Sequence, residues 1–435
     1  MPTVAFCTLG CKVNQYDSQA MLELFEEAGY RSVPFSQPAD VYVINTCTVT
    51  GTGDQKSLQM IRRAHRTAPG AALVVTGCMA QRQAEVLKLP GVRLVIGTQR
   101  RSQVVELLRV AMRGSEPLIA VGGLENAPFE RLRISASEGH TRAALKIQEG
   151  CGNRCTYCII PSVRGPARSR PLEDVEREAA RLGAAGFREI VVTGIQLAAY
   201  GRDLEPQKGL LDALAAVARA EGVARIRLGS LEPGIMTEAF CEGLARIPAI
   251  CPMFMLALQS GSETVLRRMG RRYGLRLYRE AVERVRGVYG DPGLITDVMC
   301  GFPGETEEEF RETLAFVREI GFSRLHVFPY SEREGTPAAR MPGAVPVPVR
   351  EERAARLLAL GRELEGEYVR RQVGNVREVL FEEHSQGGCE GYTGEYVRVR
   401  ADGRPGELAR VRITAAHGAK AEGTVLRDEN GAGLR

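Results

Sequence analysis

Two long stretches of the chain alternate short apolar runs, typical of β-strands, with amphipathic patterns typical of helices. In the first stretch the strand-like runs are VAFCTLG, DVYVINTC, AALVVTGC and RLVIG, and a helical pattern follows each. In the second, the runs are RAALKIQ, REIVVTG, RIRLGS, MFMLALQ, LITDVMCG and RLHVFPY. Repeated strand–helix units predict parallel sheets and exclude an all-helical or all-β chain.

These patterns predict three domains. Residues 1–115 are typical of a doubly wound parallel α/β domain. Residues 136–370 are typical of a partial TIM-like barrel of six βα units, and a Gly- and Pro-containing linker precedes them. Residues 372–435 alternate short strands with Gly-rich turns, which indicates a small five-stranded barrel of the kind that binds oligonucleotides. Its candidate RNA contacts are Arg398, Arg400, Arg410, Arg412, Tyr392 and Tyr396.

Composition bears on location and redox state. The chain is 44% hydrophobic with a formal charge of +5, and it has no leader-like start and no apolar segment of membrane length. We therefore expect a cytoplasmic protein that binds no membrane, with a monomer as the default state. In a reducing compartment its 11 cysteines are expected to be metal ligands or free thiols rather than disulfides.

A compact cysteine loop, EGCGNRCTYC, leaves the first predicted barrel strand and supplies Cys151, Cys155 and Cys158. Three thiolates leave one iron of a 4Fe-4S cluster without a protein ligand. In this spacing the open iron can bind S-adenosylmethionine, and one electron can cleave it to a radical. The alternative is a zinc knuckle, but zinc needs a fourth ligand, and His140 is the only candidate nearby.

A second trio of cysteines lies in the first domain. Cys11, Cys47 and Cys78 each fall just past the end of a different predicted strand, and such strand ends meet at one edge of a parallel sheet. We expect these thiols to converge as a second open cluster site; the alternative is three unrelated buried thiols. The remaining cysteines are expected in the core or have no assigned role: Cys7, Cys241, Cys251, Cys300 and Cys389.

The segment from Arg131 to Arg170 is locally basic, with eight basic residues against two acidic ones. It is either a landing surface for phosphates or an ordinary solvated face. The basic residues are Arg131, Arg133, Arg142, Lys146, Arg154, Arg164, Arg168 and Arg170, and the acids are Glu138 and Glu149.

The motifs TLGCKVNQYDS, INTCTVT, VTGC and CGNRCTYCIIPSVRG together resemble the methylthiotransferase family of radical S-adenosylmethionine enzymes. The resemblance implies an auxiliary 4Fe-4S cluster on Cys11, Cys47 and Cys78, a radical cluster on Cys151, Cys155 and Cys158, and a C-terminal TRAM domain. Within the family, the motifs CKVNQYDS and NTCTVT are most similar to those of the enzymes that methylthiolate N6-threonylcarbamoyladenosine in the tRNA anticodon loop. Other branches act on isopentenyladenosine or on an aspartate of a ribosomal protein.

The resemblance and strand-end positions also suggest contacts to S-adenosylmethionine, although each has a helix-capping or turn explanation as its alternative. The expected partners are tRNA, a sulfur source and an electron donor such as a flavodoxin or ferredoxin. A non-catalytic Fe-S electron carrier or RNA-binding protein is the alternative from another class, disfavoured because carriers protect clusters with four ligands. The candidate cofactor contacts are Tyr157, Pro161, Thr193, Gly194, Gln196, Ser230, Glu232, Gln259 and Ser260.

Overall fold

A six-stranded parallel sheet with helices on both faces forms the first part of the computed structural model, which describes residues 1–134 and 141–427. The predicted boundary at Ala136, the acid Glu138 and the zinc candidate His140 lie outside those residues. The strand order is β2-β1-β3-β4-β5-β6. The elements are β1 (Thr3–Thr8), α1 (Lys12–Glu27), β2 (Arg31–Ser32), β3 (Val41–Thr46), α2 (Gly51–Thr67), β4 (Ala72–Gly77), α3 (Cys78–Arg82), β5 (Val92–Ile96), α4 (Val104–Ala111) and β6 (Leu118–Ala120).

Alternating side chains of the strands bury both faces of this sheet, which confirms the predicted doubly wound arrangement. Val43 and Val74 pack against α1 and α4, whereas Ile44 and Val75 pack against α2 and α3. The order of the strands reverses between β1 and β3, so the helices that follow these two strands lie on opposite faces of the sheet. This arrangement leaves a crevice at the sheet's carboxyl edge.

Two details of this domain differ from the sequence prediction. The predicted linker contains a sixth strand, β6, which pairs in parallel with β5 through Leu118 and Ala120. The helix predicted after the third strand is the five-residue α3 followed by a 3-10 turn. Three-residue edge strands are too short for a periodic pattern to reveal them.

The central part confirms the predicted partial barrel of six parallel strands. Isolated parallel bridges join β10 to β11, so the order runs β7-β9-β10-β11-β12-β13, with β8 antiparallel at the β7 edge. The elements are β7 (Arg142–Glu149), α5 (Ile160–Arg164), β8 (Arg168–Ser169), α6 (Leu172–Ala184), β9 (Glu189–Gly194), α7 (Leu210–Ala218), β10 (Arg225–Leu228), α8 (Glu238–Ala245), β11 (Met253–Met255), α9 (Glu263–Arg268), α10 (Leu275–Tyr289), β12 (Gly293–Cys300), α11 (Glu307–Ile320), β13 (Arg324–Pro329) and α12 (Val347–Arg371).

The inner face of β7 is polar, unlike the apolar lumen of a closed barrel. Leu145 and Ile147 point outward and pack in the main core with Val175 of α6. Arg142 and Lys146 lie on the opposite, inward side, because side chains alternate along a strand. Helix α1 of the first domain contacts β7 and β9, so it fills part of the lumen.

The last part closes into the predicted five-stranded barrel, in the order β14-β15-β16-β18-β17. The turn after β15 docks under the central barrel, where Arg227 Nη1 donates to the Gly394 carbonyl at 2.8 Å and Arg225 Nη1 donates to the Tyr392 carbonyl at 3.2 Å. Among residues 1–134 and 141–427, no helix combines the length and apolarity needed to cross a bilayer. The strands are β14 (Val376–Ser385), β15 (Gly388–Thr393), β16 (Arg398–Ala401), β17 (Leu408–His417) and β18 (Lys420–Val425).

This docking corrects the predicted RNA contacts of the C-terminal barrel. The Tyr392 and Tyr396 rings stack on each other at 4.7 Å and lie against Arg142, so they are not free to stack on bases. Arg398 pairs with Glu383 and Glu390, and Arg400 pairs with Glu422. Arg410 and Arg412 remain exposed on β17.

Five buried charged side chains, which we call the ion network, join the first domain to the central barrel. The network comprises Asp17, Arg101, Lys146, Glu149 and Arg164, and none is more than 1% exposed. Lys146 Nζ lies 2.5 Å from Asp17 Oδ1 and 2.8 Å from Glu149 Oε2, while Arg164 Nη1 lies 2.6 Å from Glu149 Oε1. Burial alone would raise the pKa of Glu149, but Lys146, Arg164 and Arg101 hold it well below its ordinary value.

The network also corrects the predicted phosphate-landing surface. Lys146, Arg164, Arg168 and Arg170 are buried, and Arg170 pairs with Asp174 at 2.7 Å. Most of the local positive charge therefore serves internal contacts, whereas Arg131, Arg133 and Arg154 are exposed.

Removal of one member of the ion network should be costly. We expect Arg164→Gln to lower the free energy of unfolding by about 3–5 kcal/mol, because Asp17 and Glu149 lose a buried cationic partner. Thermal unfolding of the cluster-free chain and hydrogen exchange of α1 and β7 amides measure the effect. The exposed Arg154→Gln in the same loop is the control; equal stability of the two variants would contradict the prediction.

A second prediction concerns Glu189, which pairs with Arg225 and Arg227 beneath the barrel. Burial alone would raise its pKa, but Arg227 and Arg225 lower it to about 2. A depressed pKa means that the stabilisation is complete above about pH 4.5 and is lost as the pH falls towards 2.

We therefore expect Glu189→Gln to cost about 3–5 kcal/mol at pH 7. The difference from the unsubstituted chain should stay constant down to about pH 4.5 and shrink below it, as followed by thermal unfolding across pH. The exposed Glu312→Gln is the control. A difference that grows on acidification would contradict this account.

Candidate active site

Three loops at the carboxyl edge of the first sheet carry the trio Cys11, Cys47 and Cys78. Cys11 is the residue before α1, Cys47 directly follows β3, and Cys78 is the first residue of α3. A methyl group at Gly10 would lie 3.1 Å from Cys47 Sγ, so the loops of Cys11 and Cys47 are in contact. The structure thus brings the loops of the predicted trio together at the crevice between β1 and β3.

Hydrogen bonds and glycines fix these loops. Asn14 Nδ2 donates to the carbonyls of Leu9 at 2.7 Å and Thr46 at 3.1 Å, which ties the first loop to the second. Gly77 precedes Cys78 with φ of 96°, and a side chain there would collide with Asn45 and Thr46. Only glycine fits this close approach with a positive φ.

The surroundings of this trio disfavour free thiolates. Burial raises the pKa of Cys47, and it raises the pKa of Cys78 to about 11, with Cys11 adding to both shifts. Bound iron would supply the positive charge that makes such buried thiols thiolates.

The trio Cys151, Cys155 and Cys158 lies in the loop between β7 and α5. Cys151 N donates to the Gly165 carbonyl at 3.0 Å, and Thr156 N donates to the Met269 carbonyl at 2.9 Å, so both ends of the loop are held. Burial raises the pKa of Cys151, and it raises the pKa of Cys158 to about 12. As at Cys47 and Cys78, burial disfavours free thiolates here, and bound iron would stabilise the deprotonated form.

A cavity of about 150 Å³ opens beside this loop, at the carboxyl ends of β7, β9 and β10. Its lining includes all three cysteines and four of the predicted cofactor contacts. These seven lining residues are Cys151, Cys155, Cys158, Tyr157, Gln196, Ser230 and Glu232.

Other predicted cofactor contacts do not line this cavity. Thr193 is buried within β9, and Ser260 turns away to Thr313 of α11, with 3.2 Å between their hydroxyl oxygens. Pro161 is the second residue of α5, and its carbonyl accepts from Gly165 N at 3.0 Å. Gln259 has φ of 70° and bridges to β12 through its backbone.

Gly194, also outside the lining, has a packing role instead. A methyl group there would lie 2.8 Å from Gln148 Cβ. The absence of that group allows Gln148 Oε1 to accept from Gln196 N at 2.6 Å. Gly194 thus positions Gln196, which does face the cavity.

Two further residues at this cavity were missed by sequence reasoning. Arg271 Nη1 donates to Cys155 Sγ at 3.1 Å, and its Nη2 lies 3.1 Å from Glu232 Oε1. Asn153 Nδ2 donates to the same Glu232 oxygen at 2.7 Å. Asn153 lies inside the cysteine motif, where it could have been suspected, whereas Arg271 follows α9 and carries no sequence signal.

The two cysteine trios are neighbours. Ile159 and Val163, from the segment after Cys158, pack directly against Cys78. From the same segment, Arg164 Nε donates to Cys78 Sγ at 3.2 Å. The loop that holds one trio therefore touches a member of the other.

Comparison with known families finds two matches along the chain. Residues 3–97 match the family described as "Uncharacterized protein family UPF0004", and residues 145–317 match the Radical SAM superfamily. Among solved structures, the radical S-adenosylmethionine methyltransferase TsrM from Kitasatospora setae shares the fold, with a TM-score of 0.59 at 15% identity over 78% of this chain and 76% of that one.

Curated relatives extend along nearly the whole chain. The threonylcarbamoyladenosine tRNA methylthiotransferase MtaB of Bacillus subtilis is 44% identical over 98% of this chain and 97% of its own length. The enzyme of the same name from Thermotoga maritima is 35% identical, covering 95% and 94%. The ribosomal protein uS12 methylthiotransferase RimO of Desulforudis audaxviator is 37% identical, covering 95% and 94%. With its parallel sheets, partial barrel and cysteine loops, the chain belongs to the radical SAM methylthiotransferase family, whose members use 4Fe-4S chemistry and S-adenosylmethionine.

Proposed function

We propose that this enzyme converts N6-threonylcarbamoyladenosine next to the tRNA anticodon into its 2-methylthio derivative, with two 4Fe-4S clusters and S-adenosylmethionine. The 44% identity to a relative named for this nucleoside, over 98% of the chain, supports that substrate. Relatives named for dimethylallyladenosine and for ribosomal protein uS12 are 35–38% identical.

The contact between Cys78 and the segment that follows Cys158 is the observation that carries the proposal. Because Ile159, Val163 and Arg164 touch Cys78, a substrate atom in the cleft could meet groups held by both trios. Proximity of this kind is what a group transfer between two centres requires. The clusters would supply a radical from S-adenosylmethionine at one side and a methylated sulfur at the other.

The chain's own residues would position these groups. Cys151, Cys155 and Cys158 would hold the radical cluster, and Gln196, Ser230 and Glu232 face the cavity where S-adenosylmethionine would bind. Cys11, Cys47 and Cys78 would hold the auxiliary cluster. The adenine C2–H is too weak an acid for a side-chain base, so radical chemistry is required there. The nucleoside would have to be unstacked to reach the cleft.

The decisive assay uses anaerobically reconstituted enzyme, a reductant, a sulfur source and tRNA that carries N6-threonylcarbamoyladenosine. We expect the 2-methylthio nucleoside in digests analysed by mass spectrometry. Transfer to isopentenyladenosine tRNA or to protein uS12 instead would assign the enzyme to another branch. No transfer to any of the three would refute the proposal.

Replacement of Cys11, Cys47 and Cys78 together by alanine tests the second cluster. We expect the variant to lose about half of the iron and all methylthio transfer while it still cleaves S-adenosylmethionine to 5′-deoxyadenosine. Cys389→Ala, a buried thiol in β15 outside both trios, is the matched control and should keep its iron. An unchanged iron content in the triple variant would show that no auxiliary cluster exists.

A further inference from the structure

A second, larger cavity of about 430 Å³ lies where the three parts of the chain meet. It reaches the first residues of β7, whereas the cavity beside Cys151 lies beyond that strand's carboxyl end, so the two lie at opposite ends of the lumen. Helix α1 forms one wall, and Tyr396 reaches in from the C-terminal barrel. The polar lining residues are Thr8, Lys12, Gln15, Tyr16, Ser18, Gln19, Arg142 and Tyr396.

Lys12 is a cation in this cavity without a carboxylate partner. It directly follows Cys11, and its side chain is accessible, yet it forms no ion pair with any residue in 1–134 or 141–427. A cation in this setting gains most from an added anion.

The arginines around the cavity are already paired. Arg142 Nε lies 2.5 Å from Glu382 Oε1, and Arg227 Nε lies 2.8 Å from Glu189 Oε1. Their charges therefore hold the C-terminal barrel in place. Lys12 is left as the group whose charge the described structure does not balance.

Tyr396 is held in a strained conformation next to Lys12. Its φ of 74° is rare for a bulky side chain, and such strain persists only where the surroundings impose it. Its ring lies 4.9 Å from the Arg227 guanidinium and 5.3 Å from that of Arg324. Burial would raise the pKa of Tyr396, but Arg142, Lys12 and Arg227 lower it.

A path links this cavity to the upper cleft along the inner face of β13. Arg324, which contacts Tyr396, shares that face with His326 and Phe328 because they alternate along the strand. Phe328 is 44% exposed and pairs in register with Met299. Met299 and Tyr157 of the cysteine loop pack against the same group of buried apolar side chains, which includes Phe302. An adenine could therefore lie against Phe328, with the larger cavity below it.

We propose that Lys12, assisted by Tyr396, binds the carboxylate of the threonyl group of the substrate nucleoside. This inference rests on the proposed function. In adenine, C2 and the carbon that bears N6 lie on either side of N1, so a base with C2 turned to the Cys151 loop directs its N6 substituent away from it. The threonylcarbamoyl group then extends towards Lys12 at the other end of the lumen.

The same arrangement explains rejection of an uncharged N6 substituent. An isopentenyl group in this cavity would bury Lys12 without an anion, and unpaired buried charges are costly. A site built to pair a polar group discriminates strongly against analogues that lack it.

The test compares Lys12→Gln, Lys12→Arg and the control Lys88→Gln, a surface lysine of the same domain that pairs with Glu85. With tRNA carrying N6-threonylcarbamoyladenosine, we expect Lys12→Gln to raise KM about 10- to 100-fold, the loss of one charge-assisted hydrogen bond. Lys12→Arg should restore most of the affinity, and Lys88→Gln should match the unsubstituted enzyme. Iron content and thermal midpoint verify that each variant folds.

A binding measurement separates the carboxylate from the rest of the substrate. Free N6-threonylcarbamoyladenosine and its carboxyl methyl ester are titrated into unsubstituted enzyme and Lys12→Gln. We expect the ester to bind unsubstituted enzyme as weakly as the acid binds Lys12→Gln, with no further loss for the ester in the variant.

The outcomes distinguish this inference from the proposed function. If the unsubstituted enzyme methylthiolates the tRNA but KM and ester affinity do not depend on Lys12, the carboxylate subsite is refuted and the function stands. If the enzyme leaves this tRNA unmodified and acts on isopentenyladenosine instead, both the substrate and the subsite are refuted.

Discussion

The buried ion network is the constraint on which the rest of the structure depends. Asp17 comes from α1, Arg101 follows β5, and Lys146, Glu149 and Arg164 come from the central barrel and its cysteine loop. Each charge would be costly to bury alone, so the network is stable only when all members meet. Ion pairs of 2.5–3.3 Å therefore specify how the first domain sits on the barrel far more narrowly than apolar contact would. The placement of α1 in the lumen, and with it the position of both cysteine trios, follows from this arrangement.

The same network reaches the sulfur atoms. Arg164 donates to Cys78, and in the other trio Arg271 donates to Cys155; each arginine is also held by a carboxylate, Glu149 or Glu232. Hydrogen bonds to cluster sulfurs are one means by which a protein sets the potential of an iron–sulfur centre. Both trios thus share one arrangement, with a positioned arginine beside one cysteine sulfur. Arg164 is the last residue of α5, the helix that follows the loop of the Cys151 trio, and it touches Cys78, so a shift of α5 would affect both sites.

Sequence reasoning predicted what depends on local periodicity and missed what depends on long-range partners. The parallel sheets, the partial barrel and the small C-terminal barrel follow from alternating patterns, and the convergence of Cys11, Cys47 and Cys78 follows from their places at strand ends. The burial of Lys146, Arg164 and Arg170 could not be predicted, because their partners lie in other parts of the chain and a basic run usually marks a surface. The prediction that Ser260 lines the cavity was wrong for a similar reason. The direction of side chains is irregular past the end of a strand, and the Ser260 hydroxyl contacts Thr313 of α11 instead. The sequence carried no signal for Lys12 beyond its place in the motif TLGCKVNQYDS. Its cavity could not be predicted, because residues of three separate domains form it.

The C-terminal barrel has an unexpected part in this architecture. Its tyrosines resemble an RNA-stacking pair in sequence, yet the structure places them beneath the lumen, where the Gly394 and Tyr392 carbonyls accept hydrogen bonds from Arg227 and Arg225. Glu189 neutralises those arginines, and so the strained turn at Tyr396 forms the floor of the larger cavity. A barrel that closes the lumen from below also limits how far a substrate can extend from the cysteine loop. The depth of the lumen is therefore set jointly by the first domain through Lys12 and by the last through Tyr396.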